Sequence, residues 1–290
     1  MKKHGIVRLF TAAAVLLLGA SAAAAPVSAA TTLKVGATKT PHSIILKHVK
    51  PQLKKEGVNL KVTVFQDYSL IDKAMMAGDL DATYFAHTPY VQQEIAKQHY
   101  KIKIVGSVHL EPIGAYSKKV KKLSQVKKGA TILVSNNRPD YGRVLTMLKD
   151  AGLITIKKGT KLTDADFSDI AKNPKNLKFK YSYDPKLMPS LYKNNEGDVV
   201  FINANFAVQA GINPNKDAIA LEKKSSPYAN VVEVKKGDQN KPAVKKLMMK
   251  SAKEFLDLRK ISDLAQRLVE TKRDIVYTLV YMLLKLALIF

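Results

Sequence analysis

The chain has 290 residues, enough for two domains with cores of their own, and a composition of 46% hydrophobic and 25% charged residues excludes a disordered or fibrous polypeptide. Its 48 Lys and Arg against 24 Asp and Glu give a net charge of +24, which calls for an anionic partner surface or a strongly solvated exterior. Zero cysteines exclude disulfides, thiolate metal sites, iron–sulfur clusters and a cysteine nucleophile.

The first thirty residues, 1–30, read as a signal peptide. Lys2, Lys3, His4 and Arg8 form a basic start, LFTAAAVLLLGASAAAA an apolar run, and small residues up to Ala30 a cleavage site. Export argues against a nucleic-acid partner, and so does the kind of charge. Only six of the 48 basic residues are Arg, the side chain that reads bases and clamps phosphates in two places. A Lys-rich surface facing an anionic cell envelope is the expectation, with no nucleic acid.

From Leu33 the pattern alternates between period two and helical spacing, the signature of an α/β fold. LKVGAT reads as a strand. Thr40 and Pro41 then open a helix striped by Ile45, Leu46, Val49 and Leu53 and ended by Gly57. LKVTVF is a strand, Ser69 caps a short helix stopped by Gly78, DLDATYFA is a strand, and Thr88-Pro89 starts the next helix. KIKIVG and HLEPIGAYS follow as strands. A Lys-rich stretch near 118–128 crosses to a second lobe, where ATILVS is a strand and Asp140 caps a helix closed by Gly152. A short helix is expected at 164–171, NLKFKYS and DVVFIN as strands, and a helix from Asn205 to Gly211. NVVEVK returns as a strand, followed by a helix from Lys241 to about Leu258.

These elements divide the chain into lobe 1 (31–115 and 208–258), lobe 2 (116–207) and an atypical apolar C-terminal tail (259–290). The tail reads as a buried helix, a membrane-associated segment or a disrupted end. GDLDATYFA (78–86) and GDVVFINANFA (197–207) echo one another, which places two polar–aromatic strand ends opposite each other. In open α/β sheets ligands bind beyond the carboxyl ends of strands, so a cleft between the lobes is the expected site.

Catalytic signatures are absent: no G-x-S-x-G, P-loop, H-E-x-x-H or G-x-G-x-x-G. No enzyme is expected. Asp79 and Asp81 read as solvated turn acids. His42, His48, His87 and His109 do not read as a zinc site, because His42 and His48 are six apart on one helix and so point to different faces. No metal or cofactor is expected. Arg143 falls in the first turn of a helix after NNRPDYG, either as a surface residue or as a two-point clamp on a carboxylate. Asn203 and Asn205 at a strand end either cap backbone or bind a ligand's polar end. Phe65, Tyr68, Tyr84, Phe85, His87 and Tyr90 can wall an apolar pocket, some of them as plain core. Together they suit a zwitterion with an apolar side chain.

At these residues the chain resembles the NlpA/MetQ family, the methionine-binding lipoproteins of ABC importers. The matching stretches are LKVGATKTPHSIILKHVKP, DYSLIDKAMMAGDLDATYFAHTPY, VHLEPIGAYS, NPKNLKF, VFINANFAVQAGINP and SPYANVVEV, in family order from Leu33 to Val234. The resemblance implies a type II periplasmic-binding-protein fold, two lobes with a ligand cleft, that delivers methionine to a permease and its ATPase. It also implies Phe65, Tyr68, Phe85, His87 and Tyr90 around the thioether, Arg143 for the carboxylate, and Asn203 and Asn205 for the polar end. Three departures stand out. The family's lipobox Cys has no counterpart, so the expectation is an exported protein at the cell surface or outside the cell without that lipid anchor. Ile71-Asp72 stands where members carry Pro-Asn, and Ala86 where they carry Gln before the pocket His, which bears on side-chain selectivity. The tail beyond about Leu256 does not look like the family's usual ending. The rival readings are a binding protein for a short methionine-containing peptide, and a basic envelope adhesion protein.

Overall fold

The computed structural model describes residues 30–223 and 227–271. The signal peptide, Ala30 excepted, lies outside the described residues, as does the tail beyond 271.

The first lobe opens with β1 (Thr31–Thr38), α1 (His42–Lys55), β2 (Val58–Phe65), α2 (Tyr68–Ala77), β3 (Ala82–His87), α3 (Thr88–Gln98) and β4 (Ile102–Leu110). The second contains β5 (Gly114–Tyr116), β6 (Thr131–Ser135), α4 (Tyr141–Asp150), β7 (Thr155–Ile156), β8 (Ile170–Lys172), β9 (Lys178–Tyr183) and α5 (Met188–Lys193). It continues through β10 (Val199–Ile202), α6 (Ala204–Gln209), α7 (Pro214–Asp217) and β11 (Ala220–Leu221). The chain then returns to the first lobe as β12 (Ala229–Lys235) and α8 (Pro242–Thr271).

Two five-stranded sheets result, ordered β2-β1-β3-β12-β4 and β11-β5-β10-β6-β9, with β7 and β8 forming a small ribbon. In the first sheet β1, β2 and β3 run parallel and β12 is antiparallel to both β3 and β4. In the second, β6, β9 and β10 are parallel. Each sheet therefore has helices on its faces, as buried parallel strands require. β3 is buried at every position, so its alternation serves two cores. Tyr84 joins the cluster of Val35, Leu46, Leu60 and Leu247 on one face, and Phe85 joins Ile71, Met75 and Val91 on the other.

Sheet membership moves the lobe boundaries expected from sequence. Gly114 and Ala115 already pair in the second sheet, and β11 pairs antiparallel with β5. Ile212 packs in one cluster with Tyr116 and Phe206. Residues 208–222, expected in lobe 1, thus complete the edge of lobe 2. Local differences have local causes. Asp67, rather than Ser69, caps α2 by accepting from Ser69 N. The helix expected at 164–171 is two single 3₁₀ turns and β8, because the Asp169 carboxylate accepts from Asp166 N and offers the backbone a turn instead. The last helix continues past Leu258 to Thr271. Among the described residues no helix is long and apolar enough to cross a membrane.

Candidate functional site

The carboxyl ends of β3, β6 and β10 converge where the lobes meet, and strand ends, loops and the helices that follow together supply the cleft. From the first lobe Tyr68, Phe85, Ala86, His87 and Tyr90 line it, joined by Glu111 just past β4 and Asn230 of β12. The second lobe adds Asn137, Arg143, Asn203, Ala204 and Asn205, enclosing a cavity of about 30 Å³. Tyr68 packs on Phe85, Tyr90 and, across the lobes, Phe206, at ring-centre distances of 5.9, 6.3 and 5.2 Å. Phe65 is not brought to the cleft. It packs behind, against the cluster holding Ile71, Phe85 and Tyr90. Tyr84 faces away, into the core beneath α1 and α8.

Two strand-to-helix junctions face each other, as the sequence echo suggests. His87 ends β3 and caps α3: its Nδ1 accepts from Tyr90 N at 3.2 Å, so the ring's hydrogen is on Nε2. That Nε2 donates to Asp140 Oδ1 at 3.1 Å, across the cleft. Asn203 sits at the N-cap of α6 but makes no cap; its Nδ2 donates to Asp140 Oδ2 at 2.9 Å. Asn205 Oδ1 accepts from the Tyr68 hydroxyl at 2.7 Å, a second contact between lobes. Neither Asn therefore satisfies backbone.

Asp140, expected as a helix cap, makes no side-chain cap either. It is fully buried and accepts four hydrogen bonds, from His87, Asn137, Arg143 and Asn203. Burial pushes its carboxyl up, but His87, the Arg143 guanidinium and Asn203 outweigh that and hold it well below the usual carboxylate range. Arg143 is likewise buried and already engaged. It donates from Nε and Nη2 to Glu222, from Nη1 to Asp140, and from Nη2 to the main-chain oxygen of Glu111, with its guanidinium 5.0 Å over the Tyr228 ring. Next to Arg143, a Cβ at Gly142 would stand 1.7 Å from Leu162 O, so only glycine admits that chain beside the first turn of α4. Arg143, expected as a surface residue or a carboxylate clamp, brings two N–H groups to a single oxygen of Glu222, Oε2, in this structure. Its position is a surface in sequence and a pillar in space.

His42 and His48 stay apart, as their spacing on α1 requires, but His42 and His109 come together. His42 and His109 lie 5.1 Å apart by ring centre and both reach Glu111, whose Oε1 is 3.2 Å from His42 Nε2 and 2.7 Å from His109 Nε2. His48 instead pairs with Glu254 and His87 with Asp140. Burial drives the His42 and His109 rings down to about 4 and about 3, so both are neutral, and it pushes the Glu111 carboxyl up against the pull of His42, Arg143 and His87. Of the two departures, Ala86 lines the cleft, whereas Asp72 is buried away from it beside Thr83.

Glu111, Asn137, Asp140, Glu222 and Asn230 were not among the expected site residues. Two signals could have found some of them. His109 and Glu111 are two apart on an extended segment and so share a face. Asp140 and Arg143 have the i,i+3 spacing of a helical ion pair.

The chain as a whole is similar to known proteins. The family model "NlpA lipoprotein" matches residues 33–257. The methionine-binding lipoprotein MetQ of Bacillus subtilis is 47% identical over 235 residues, 80% of this chain and 84% of that one. Among solved structures, a pheromone precursor and lipoprotein of the YaeC family from Enterococcus faecalis is 53% identical with a TM-score of 0.73, over 76% of this chain and 92% of that one. A nutrient-binding protein from Burkholderia cenocepacia bound to methionine is 39% identical with a TM-score of 0.71, over 76% of this chain and 91% of that one.

Proposed function

This chain belongs to the NlpA lipoprotein family, and we propose that it is an extracytoplasmic solute-binding protein. It captures methionine or a close analogue between its lobes and passes it to an ABC permease and its ATPase. The observation that carries this reading is one cleft with two chemistries. Tyr68, Phe85 and Tyr90 make an aromatic wall on one side, and Glu111, Arg143, Asn203 and Asn205 gather polar groups on the other. The wall suits a thioether, since sulfur packs well against ring edges. The polar end suits an amino acid's two charges.

Within that cleft the Glu111 carboxylate accepts the ligand ammonium. Arg143 draws the ligand carboxylate with the one Nη1 hydrogen left by Glu222, Asp140 and Glu111 O. Asn203, Asn205 and His87 complete the hydrogen bonding, and Phe65 backs the wall without touching the ligand. Entry requires the lobes to part, which breaks Tyr68–Asn205 and His87–Asp140, and closure remakes them. The work is binding and release. The lipoprotein relatives and the basic surface support action at the outer side of an anionic cell envelope.

Titration calorimetry on ligand-stripped protein tests this, with L-methionine, D-methionine, Gly-Met and other amino acids as a panel. One-to-one binding of methionine is expected. Binding of another amino acid instead would keep the fold and assign the difference to Ala86, and a folded protein that binds nothing in the panel would overturn the reading.

A further inference from the structure

Behind Glu111 lies a buried polar chain that the cleft itself does not need for closure. The Tyr84 hydroxyl stands 2.7 Å from His109 Nδ1, and Tyr84 is fully buried. That nitrogen is its one hydrogen-bond partner among the described residues. A buried phenol must place its hydrogen somewhere, and burial keeps that hydrogen on by pushing the phenol well above its usual range. Tyr84 therefore donates, Nδ1 accepts, and the hydrogen-bond pattern assigns the ring's own hydrogen to Nε2. Nε2 points at Glu111 Oε1 from 2.7 Å. On the other side His42 Nδ1 is held 2.6 Å from Thr38 Oγ1, and its Nε2 lies 3.2 Å from the same carboxylate oxygen without the alignment of a hydrogen bond.

Glu111 is thus fixed at both ends, because its main-chain oxygen also accepts from Arg143. The titratable groups facing its carboxylate are His42 from α1, Tyr68 from α2, Tyr84 and His87 from β3, His109 from β4 and Arg143 from α4. Arg143 is the one permanent cation among them, and it is already shared between Asp140 and Glu222. The carboxylate consequently has neutral donors around it and no cation of its own.

We infer that Tyr84 and His109 are positioning residues that hold Glu111 toward the cleft as the acceptor for a ligand's primary ammonium, and so set the preference for free amino acids over ligands lacking that group. This rests on the reading of the cleft as an amino-acid site. His42, His109 and Glu111 also bring one potential metal-ligand atom each within 4.8 Å of one another. A metal fits the geometry less well. Two ligands on one zinc ion stand about 3.3 Å apart, given bonds of about 2.0–2.1 Å in a tetrahedron, and the His109–Glu111 separation is the shorter one of a hydrogen bond.

Three variants and two ligands test the inference. L-methionine carries the ammonium, and its hydroxy analogue replaces that group with a hydroxyl. His109→Phe, which keeps a ring against Phe255, is expected to weaken L-methionine about 10- to 100-fold while changing the hydroxy analogue less than about threefold. Glu111→Gln should show the same selective loss. Tyr84→Phe removes one oxygen only, serves should His109→Phe not fold, and is expected to lose about threefold for L-methionine alone. Equal losses for both ligands, or none, would overturn the inference. Imidazole ¹⁵N shifts of the ligand-free protein read the chain without any ligand. The neutral Nε2–H form of His109 from pH 5 to 8 is expected, and an Nδ1–H form or an imidazolium would overturn the assignment. Zinc binding that His109→Phe abolishes would overturn it in favour of a metal site. The right tautomer in a protein that binds no methionine would instead fault the functional reading.

Discussion

Two buried carboxylate centres in this molecule have the same burial and opposite fates. Asp140 sits between the lobes with four donors around its two oxygens. Asp72 sits inside lobe 1 with Glu233 and a single hydroxyl: Thr83 Oγ1 is 3.3 Å from Asp72 Oδ1 and 2.9 Å from Glu233 Oε1, and it has one hydrogen to give. Among the described residues no third group donates to Asp72 Oδ2 or Glu233 Oε2, so the two carboxyls have only each other there. Burial, with Glu94 next, pushes Asp72 up to about 7, and burial with Asp72 pushes Glu233 well above its usual range. Burial alone therefore does not decide whether an acid is charged. The donors and the cation around it do.

The largest effect is expected on removing the cation of the donor-rich centre. Arg143→Ala takes the guanidinium away from the Asp140 and Glu222 carboxylates, which costs about 3–5 kcal/mol, on the order of 10 °C in Tm for a chain of this size. Loss of ligand binding in that variant would report lost stability as well as lost contact. Scanning calorimetry separates the two, and a Tm within about 2 °C of the parent would show that Asp140 and Glu222 do not depend on Arg143.

Asp140→Asn is the next largest. An amide turns two acceptor directions into donors that meet the N–H groups of either Asn137 and Asn203 or His87 and Arg143, at about 1–3 kcal/mol. Its signature is in pH. Asp140 is depressed below its unfolded value of 3.8, so its contribution is present above that value and lost as pH falls below it. The deficit of Asp140→Asn should accordingly be full at pH 7 and shrink below pH 4 in denaturant titrations. A deficit independent of pH would mean that the carboxylate's charge is not what the centre uses.

How much of this was legible depended on distance along the chain. The strands and helices were readable because period two and period 3.6 are local, and the cleft because the motifs of Phe85–His87 and Asn203–Asn205 both end strands. Arg143 was legible as a residue, but its bond to Glu222 was not, since that partner is 79 positions away. Asp140 looked like a cap, which is what an Asp at a helix start does when nothing else binds it. His42 and His48 do part, as their spacing on one helix requires, whereas His109 reaches His42 from β4, a separate element. What sequence could not show was competition among partners, which exists only once the chain is folded.

Asp72 and Glu233 give the prediction of opposite sign. Asp72 is raised above its unfolded value of 3.8, so the pair costs nothing below that pH, and stability is lost as pH rises towards about 7. Asp72→Asn removes the ionisation while keeping an oxygen for Thr83 and offering an amide hydrogen to Glu233. The variant should match the parent near pH 4 and exceed it at pH 8 by a few degrees in Tm, with ligand affinity unchanged because Asp72 does not line the cleft.

The smallest expected effect lies between the lobes. Tyr68→Phe deletes the hydroxyl that donates to Asn205 at 2.7 Å and leaves the ring packing on Phe206 intact. A neutral hydrogen bond of this kind is worth about 0.5–1.5 kcal/mol, so ligand release measured by stopped flow should quicken about two- to twelvefold. Association should change less, because the bond is remade only when the lobes close. A variant that slowed association instead would mean that Tyr68 guides entry, and the contact between Tyr68 and Asn205 would then belong to the open form rather than the closed one.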